Sequence, residues 1–166
     1  MLKSLLIMRH AKSSWSDPHR TDHERPLNGR GRKSADAIGK ALSAKGMAPE
    51  LIWASDSART TETAKRLIRI IPGAQGIQYF PNLYHASAET ALQIAKGEGE
   101  PVGIERLMWL GHNPGWGDLF QYFTGQPHKF PTGACLVLHR KESGNWLLPQ
   151  SWQVVEFLLP RDIMSS

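Results

Sequence analysis

Leu5-Leu6-Ile7-Met8-Arg9-His10 opens the chain with four apolar residues in succession, followed by a guanidinium and an imidazole. A strand with one wet face alternates apolar and polar residues. An unbroken apolar run of this length is the pattern of a strand covered on both faces, as in a parallel sheet with helices on either side. Leu51-Ile52-Trp53-Ala54 and Leu107-Met108-Trp109-Leu110 repeat it.

Longer amphipathic stretches lie between these runs. Ala35, Ile38 and Leu42, spaced by three and four, predict a helix that Gly46 closes. Ala58, Thr61, Ala64, Leu67, Ile68 and Ile71 predict the inner face of a second helix, with Ser55, Asp56 and Ser57 as available N-caps and Pro72-Gly73 as the stop. Ser87 to Lys96 predicts a third, capped by Ser87, with Glu89 favourably placed in the first turn. Asn113 as cap and Pro114 at the first helical position predict a fourth, with Trp116, Leu119, Phe120 and Phe123 on one face. Cys135 to His139 and Trp152 to Leu159 read as closing strands around a turn at Glu142 to Asn145. Strand alternating with helix predicts an α/β fold: a three-layer α/β/α sandwich with a mostly parallel central sheet, residues 1–166 forming one domain.

Composition agrees. A chain of 166 residues, 40% apolar and 21% charged, can bury about two-thirds of its extended surface without a disulfide or metal staple. The single cysteine, Cys135, rules out an intramolecular disulfide and fits a reducing compartment. The apolar run near the N-terminus is too short for a signal segment or a membrane span, so a soluble, cytoplasmic protein is expected. Twenty Lys and Arg against fifteen Asp and Glu leave +5, a mild preference for anionic partners. The cations are dispersed and no nucleic-acid-binding motif occurs, so neither nucleic acid nor a membrane is expected as partner.

Ligands of open α/β sheets bind beyond the carboxyl ends of the strands. The first run ends in Arg9-His10, the second leads through Ser55-Asp56-Ser57 to Arg59, and the third ends in Gly111-His112. In a parallel sheet these ends share one rim. Two imidazoles, two guanidinium forks and helix N-termini facing one cleft make a phosphate site. Singly, each residue reads as an ordinary structural one; together they point to a site. Neither histidine sits in a metal-ligand spacing, and neighbouring guanidinium groups would repel a divalent cation, so no metal and no cofactor are expected.

Arg9-His10-Ala11-Lys12-Ser13-Ser14-Trp15, Arg25-Pro26-Leu27-Asn28-Gly29-Arg30-Gly31, Ser55-Asp56-Ser57-Ala58-Arg59-Thr60-Thr61-Glu62-Thr63-Ala64, Leu83-Tyr84 and Gly111-His112-Asn113-Pro114-Gly115 follow one another along the chain. In these blocks the sequence resembles the histidine phosphatase, or phosphoglycerate mutase-like, superfamily, and within it the SixA-type phosphohistidine phosphatase branch. The resemblance implies that His10 attacks phosphorus and becomes phosphohistidine, that Arg9 and Arg59 hold the phosphoryl oxygens, and that His112, as a cation, adds a donor. It implies a histidine-phosphorylated carrier or phosphotransfer domain, or a small phosphate compound, as substrate. A small-molecule phosphomonoesterase of the same superfamily and a non-catalytic phosphoprotein-binding module are the alternatives.

The departures carry chemistry too. Ala11 stands where the superfamily has glycine. One branch supplies a glutamic acid where this chain has His85, and another an aspartic acid where it has Asn113. An alkyl phosphate needs a proton donor for its leaving alkoxide, whereas a ring-protonated phosphohistidine expels neutral imidazole. The missing acid therefore favours phosphoramidates or aryl esters. His85, Asp22 and Glu24 remain as stand-in acids or as loop residues. Arg25, Asn113 and His85 are expected on the substrate rim, where exposed Trp15 could anchor a partner.

Overall fold

The computed structural model describes residues 1–165. Along the chain it forms β1 (Ser4–Arg9), α1 (Gly29–Ala44), β2 (Leu51–Ala54), α2 (Ala58–Ile70), β3 (Gly76–Tyr79), α3 (Ala88–Glu98), β4 (Arg106–Gly111), α4 (Gly115–Thr124), β5 (Cys135–Arg140), β6 (Trp152–Leu158) and α5 (Pro160–Met164). The six strands make one sheet in the order β3-β2-β4-β1-β5-β6. β3, β2, β4 and β1 pair in parallel; β5 runs against both β1 and β6, so it alone is reversed. The expected α/β fold with a mostly parallel sheet is what the chain adopts.

The continuous apolar runs are explained by both faces being covered. Successive side chains of a strand point to opposite sides. Leu5, Ile7, Trp53, Leu107 and Trp109 pack under α3 and α4 with Trp116, Leu119, Phe120 and Phe123. Leu6, Met8, Ile52, Met108 and Leu110 pack on the other face with Ile38 and Leu42 of α1 and Ala64 and Leu67 of α2. Each such large side chain, wholly removed from water, contributes about 1.5–3 kcal/mol.

Two expectations need correction, and two features went unforeseen. β3 went unforeseen because an edge strand paired on one side, with Ile77 half-buried and Gln78 and Tyr79 at or near the surface, has no apolar run to announce it. The inner face of α2 includes Arg59, Thr60 and Thr63, while Ala58 and Thr61 are only half-buried. α1 begins at Gly29, where Asn28 caps it by accepting from the Gly31 N–H at 2.8 Å. α4 starts one residue later than expected, with Pro114 in the cap position, although the Asn113 side chain still accepts from the Gly117 N–H at 3.1 Å.

Candidate active site

β1, β2 and β4 end on one rim, as parallel pairing requires. The rim holds a cavity of about 370 Å³ whose walls include Arg9, His10, Arg59, His85 and His112. A larger groove of about 690 Å³, between α3, α4 and the Trp146 segment, has no histidine or arginine in its walls and offers no comparable chemistry.

His10 forms the floor. Its N–H donates to the Gly111 carbonyl at 3.0 Å, extending the β1–β4 ladder by one bond, and its ring is buried. Nδ1 lies 2.7 Å from the Ala11 carbonyl, which can only accept, so Nδ1 carries the ring proton. Nε2 is left with its lone pair and accepts from the Arg59 Nε–H at 3.3 Å. The backbone that fixes this tautomer is itself held, because the Ala11 N–H donates to Thr63 Oγ1, whose hydroxyl donates to the Arg59 carbonyl. One turn of α2 thus positions both the residue after His10 and the guanidinium facing its ring.

Arg59 is buried, which is costly for a guanidinium unless it is paired. It donates to the Asp22 carbonyl at 2.7 Å and to the Asp22 carboxylate at 3.0 Å, and its Nη2 lies 3.0 Å from His85 Nε2. The other carboxylate oxygen of Asp22 takes Nε and Nη2 of Arg25 at 3.2 and 3.1 Å. The Tyr84 hydroxyl donates to the Asp22 carboxylate as well. Partial burial works against ionisation of Asp22, but the Tyr84 and Arg59 donors outweigh it and hold the carboxyl well below the usual range. Asp22 is therefore an ionised clasp for two arginines and not a proton donor. Glu24, exposed and accepting from the Thr21 N–H at 3.0 Å, closes the capping box of the short 3-10 turn Asp22–Glu24.

Gly111 leaves room beneath the end of β4; a Cβ there would lie 2.5 Å from the Trp116 ring, which fills the space. His112 follows with its side chain buried and its ring centroid 5.1 Å from that of His10. Its Nε2 lies 2.6 Å from Ser55 Oγ and 3.3 Å from Thr60 Oγ1. Desolvation, then the neighbouring His10 and Arg59, push its pKa far down. The cationic His112 expected from the resemblance is corrected to a neutral ring. A neutral ring can still donate: in the tautomer whose Nε2 accepts from the Ser55 hydroxyl, Nδ1 carries the proton. That atom is buried without a partner among the described residues, as is Arg9 Nε. The orphaned guanidinium N–H of Arg9, joined in that tautomer by the Nδ1–H of His112, favours an anionic guest in the cavity.

The rim residues divide. Arg25 is buried, tied to Ser13 Oγ at 2.8 Å, and lies 3.4 Å above the ring of exposed Trp15. Asn113 lines the cavity, but its amide is engaged at both ends: Nδ2 donates to the Phe130 carbonyl, which also accepts from Arg9 Nη1 at 3.1 Å. His85 is exposed at the mouth and is the one non-glycine residue with positive φ, +52°, among the described residues. Sequence reasoning placed neither Asp22 as the clasp nor Tyr84 and Ser55 in the network. The Asp22-x-x-Arg25 spacing was the available signal.

Burial, reinforced by Arg59, Arg9 and Arg25 and opposed by the Ala11 bond, lowers the His10 pKa from 6.5 to about 3. The ring is then unprotonated at every ordinary pH, and the unfolded chain binds the proton that the folded chain refuses. Folded-state stability present above pH 6.5 is lost as pH falls towards the folded value, by up to about 1.4 kcal/mol per pH unit for such a ring. Nitrogen NMR should show His10 and His112 neutral from pH 8 to 5 while the urea midpoint falls. A His10 ring that takes up its proton near pH 6.5 would contradict this.

Comparison with known proteins follows the same lines. The model of the histidine phosphatase superfamily (branch 1) matches residues 5–83. An uncharacterized chloroplastic protein of Arabidopsis thaliana is 34% identical over 137 residues, 78% of this chain but 63% of that protein. An uncharacterized protein of Mycobacterium tuberculosis is 29% identical, covering 93% of this chain and 100% of its own length. Among solved structures, a candidate phosphohistidine phosphatase SixA from Agrobacterium tumefaciens superposes with a TM-score of 0.81 at 27% identity, over 96% of this chain and 99% of that one. The protein histidine phosphatase SixA complexed with tungstate gives 0.79 at 19% identity, over 96% and 99%, a likeness of fold.

Proposed function

We propose that this chain, which matches the histidine phosphatase superfamily (branch 1) over residues 5–83 and superposes on a candidate SixA, removes the phosphoryl group of phosphohistidine on a protein, through a phosphohistidine formed at its own His10 and without a metal ion. The observation that carries the reading is the tautomer of His10: proton on Nδ1, lone pair on Nε2, guanidinium 3.3 Å away.

Nε2 attacks phosphorus in line. The new P–N bond forms as the substrate's P–N bond breaks, and the electron pair leaves on the substrate imidazole. Arg9, Arg59 and the Nδ1–H of His112 receive the three phosphoryl oxygens, and an arginine placed there is worth on the order of 10³ in rate. Phospho-His10 keeps its Nδ1–H on the Ala11 carbonyl, so it is a phosphoimidazolium, the easily expelled form. Water then attacks, the pair returns to Nε2, and the water's proton passes to the phosphate or to solvent.

Both half-reactions exchange a nitrogen leaving group, so neither needs the carboxylic acid that an alkyl ester requires. Asp22, the one carboxylate in the cavity wall, is ionised and saturated with donors, which supports the same preference. The guanidinium groups of Arg9, Arg25 and Arg59 oppose a divalent cation, and among the described residues no three His, Cys, Asp or Glu side chains group as ligands.

Brief mixing with a phosphohistidine peptide should leave acid-labile, base-stable phosphate on the enzyme, absent from His10→Ala. Phosphohistidine and p-nitrophenyl phosphate should both turn over, and alkyl phosphates at least about tenfold more slowly. Label that survives in His10→Ala, or alkyl esters that react faster, would refute the proposal.

A further inference from the structure

Beside the catalytic cavity lies a second recess, of about 310 Å³, which shares Lys12 and Thr132 with it. Its walls carry Lys12, Arg30, Lys129 and Arg161, from four separate segments, and contain no Asp or Glu. Lys12, Arg30 and Lys129 form no ion pair among the described residues, and Arg161 has only a loose one, 3.8 Å to Asp162. All four are exposed. Like charges gathered without counter-ions repel one another and cost stability. Arg30 adds to the cost: it sits in the first turn of a sixteen-residue helix, where the macrodipole favours an anion and no acidic residue is present. Its neighbour Arg32, by contrast, is paired with Glu62 at 2.7 Å.

Resting on the reading of a protein phosphohistidine substrate, we propose that this recess docks carboxylate side chains of the substrate protein flanking its phosphohistidine. The catalytic cavity is only about 370 Å³, so a phosphohistidine that reaches His10 brings its own protein surface down over the adjoining wall. The cations there are exposed and come from four segments of the chain. That arrangement suits several carboxylates spread over a surface. It differs from the buried, converging donors of Arg9, Arg59 and His112, which suit one tetrahedral ion. Leu159, Pro131 and Pro160 add apolar surface to the same walls. Such complementarity acts chiefly on encounter and register.

The test uses three synthetic phosphohistidine peptides, identical except that glutamate, glutamine or lysine flanks the phosphohistidine, with the native enzyme and the triple variant Arg30→Glu, Lys129→Glu, Arg161→Glu. The native enzyme should prefer the glutamate peptide over the glutamine one by about tenfold in kcat/KM, through KM, and lose the preference in about 0.5 M salt. The variant should prefer the lysine peptide, with turnover of p-nitrophenyl phosphate unchanged. Equal kcat/KM for the glutamate and glutamine peptides in the native enzyme, or an unaltered preference in the variant, would overturn the docking proposal while leaving the phosphohistidine reading intact. Peptides left untouched by an enzyme that hydrolyses p-nitrophenyl phosphate would instead refute that reading. A variant inactive on both would be replaced by Arg30→Gln with Arg161→Gln, for which the glutamate preference must shrink.

Discussion

Arg59→Ala is expected to lower kcat/KM by on the order of 10³, about 4 kcal/mol of transition-state stabilisation. Three losses coincide in this one change. The developing charge on the phosphoryl oxygens loses a buried fork. His10 Nε2 loses the N–H that faces it at 3.3 Å, and the Asp22 clasp loses one of its two arginines. Arg59→Lys should recover only a small part, because an ammonium is a point donor and cannot serve His10, the Asp22 carbonyl and the Asp22 carboxylate together. The rate loss should appear in kcat with a weaker inhibition by inorganic phosphate. Circular dichroism should remain native, since α2 keeps its Ser57 cap and its apolar face. A variant with kcat/KM within a few-fold of native would remove Arg59 from the transition state.

The layout of this site was legible where the physics is local. A strand covered on both faces must be apolar throughout, so β1, β2 and β4 announced themselves, and parallel pairing then brings Arg9, His10, Arg59 and His112 to one rim whatever the side chains do. What escaped was set by tertiary surroundings. The inner face of α2 looks wrong by hydrophobic periodicity because its buried positions include Arg59, Thr60 and Thr63, and all three bond to the site. The charge of His112 could not be read either: sequence shows an imidazole near phosphate-binding groups, which suggests a cation, whereas burial beside Arg59 makes it neutral. Asp22 had no signal beyond its spacing from Arg25, since its partners Arg59, Tyr84 and His85 are far away along the chain.

Gly31 and Gly29 stand two residues apart in the first turn of α1, and alanine should have opposite effects at them. A Cβ at Gly31 would lie 2.0 Å from the Lys12 carbonyl oxygen and 2.9 Å from its carbon, both backbone atoms. That carbonyl already accepts the Asn28 N–H at 3.0 Å, so neither the helix start nor the segment after His10 can yield without breaking the bond between them. Gly31→Ala should therefore cost about 3 kcal/mol, as overpacking against immovable atoms does. It should also lower kcat, because the displaced segment begins one residue beyond the Ala11 carbonyl that fixes the His10 tautomer. At Gly29 a Cβ meets nothing within 4 Å, and the exposed position only loses the flexibility of the unfolded chain. Gly29→Ala should be neutral or stabilising by up to about 1 kcal/mol, with native kcat. Urea midpoints and kcat, measured on the same preparations, separate the two. Equal midpoints for both variants would mean that the α1 start does not lean on the segment after His10, and the rigidity claimed for His10 would lose its support.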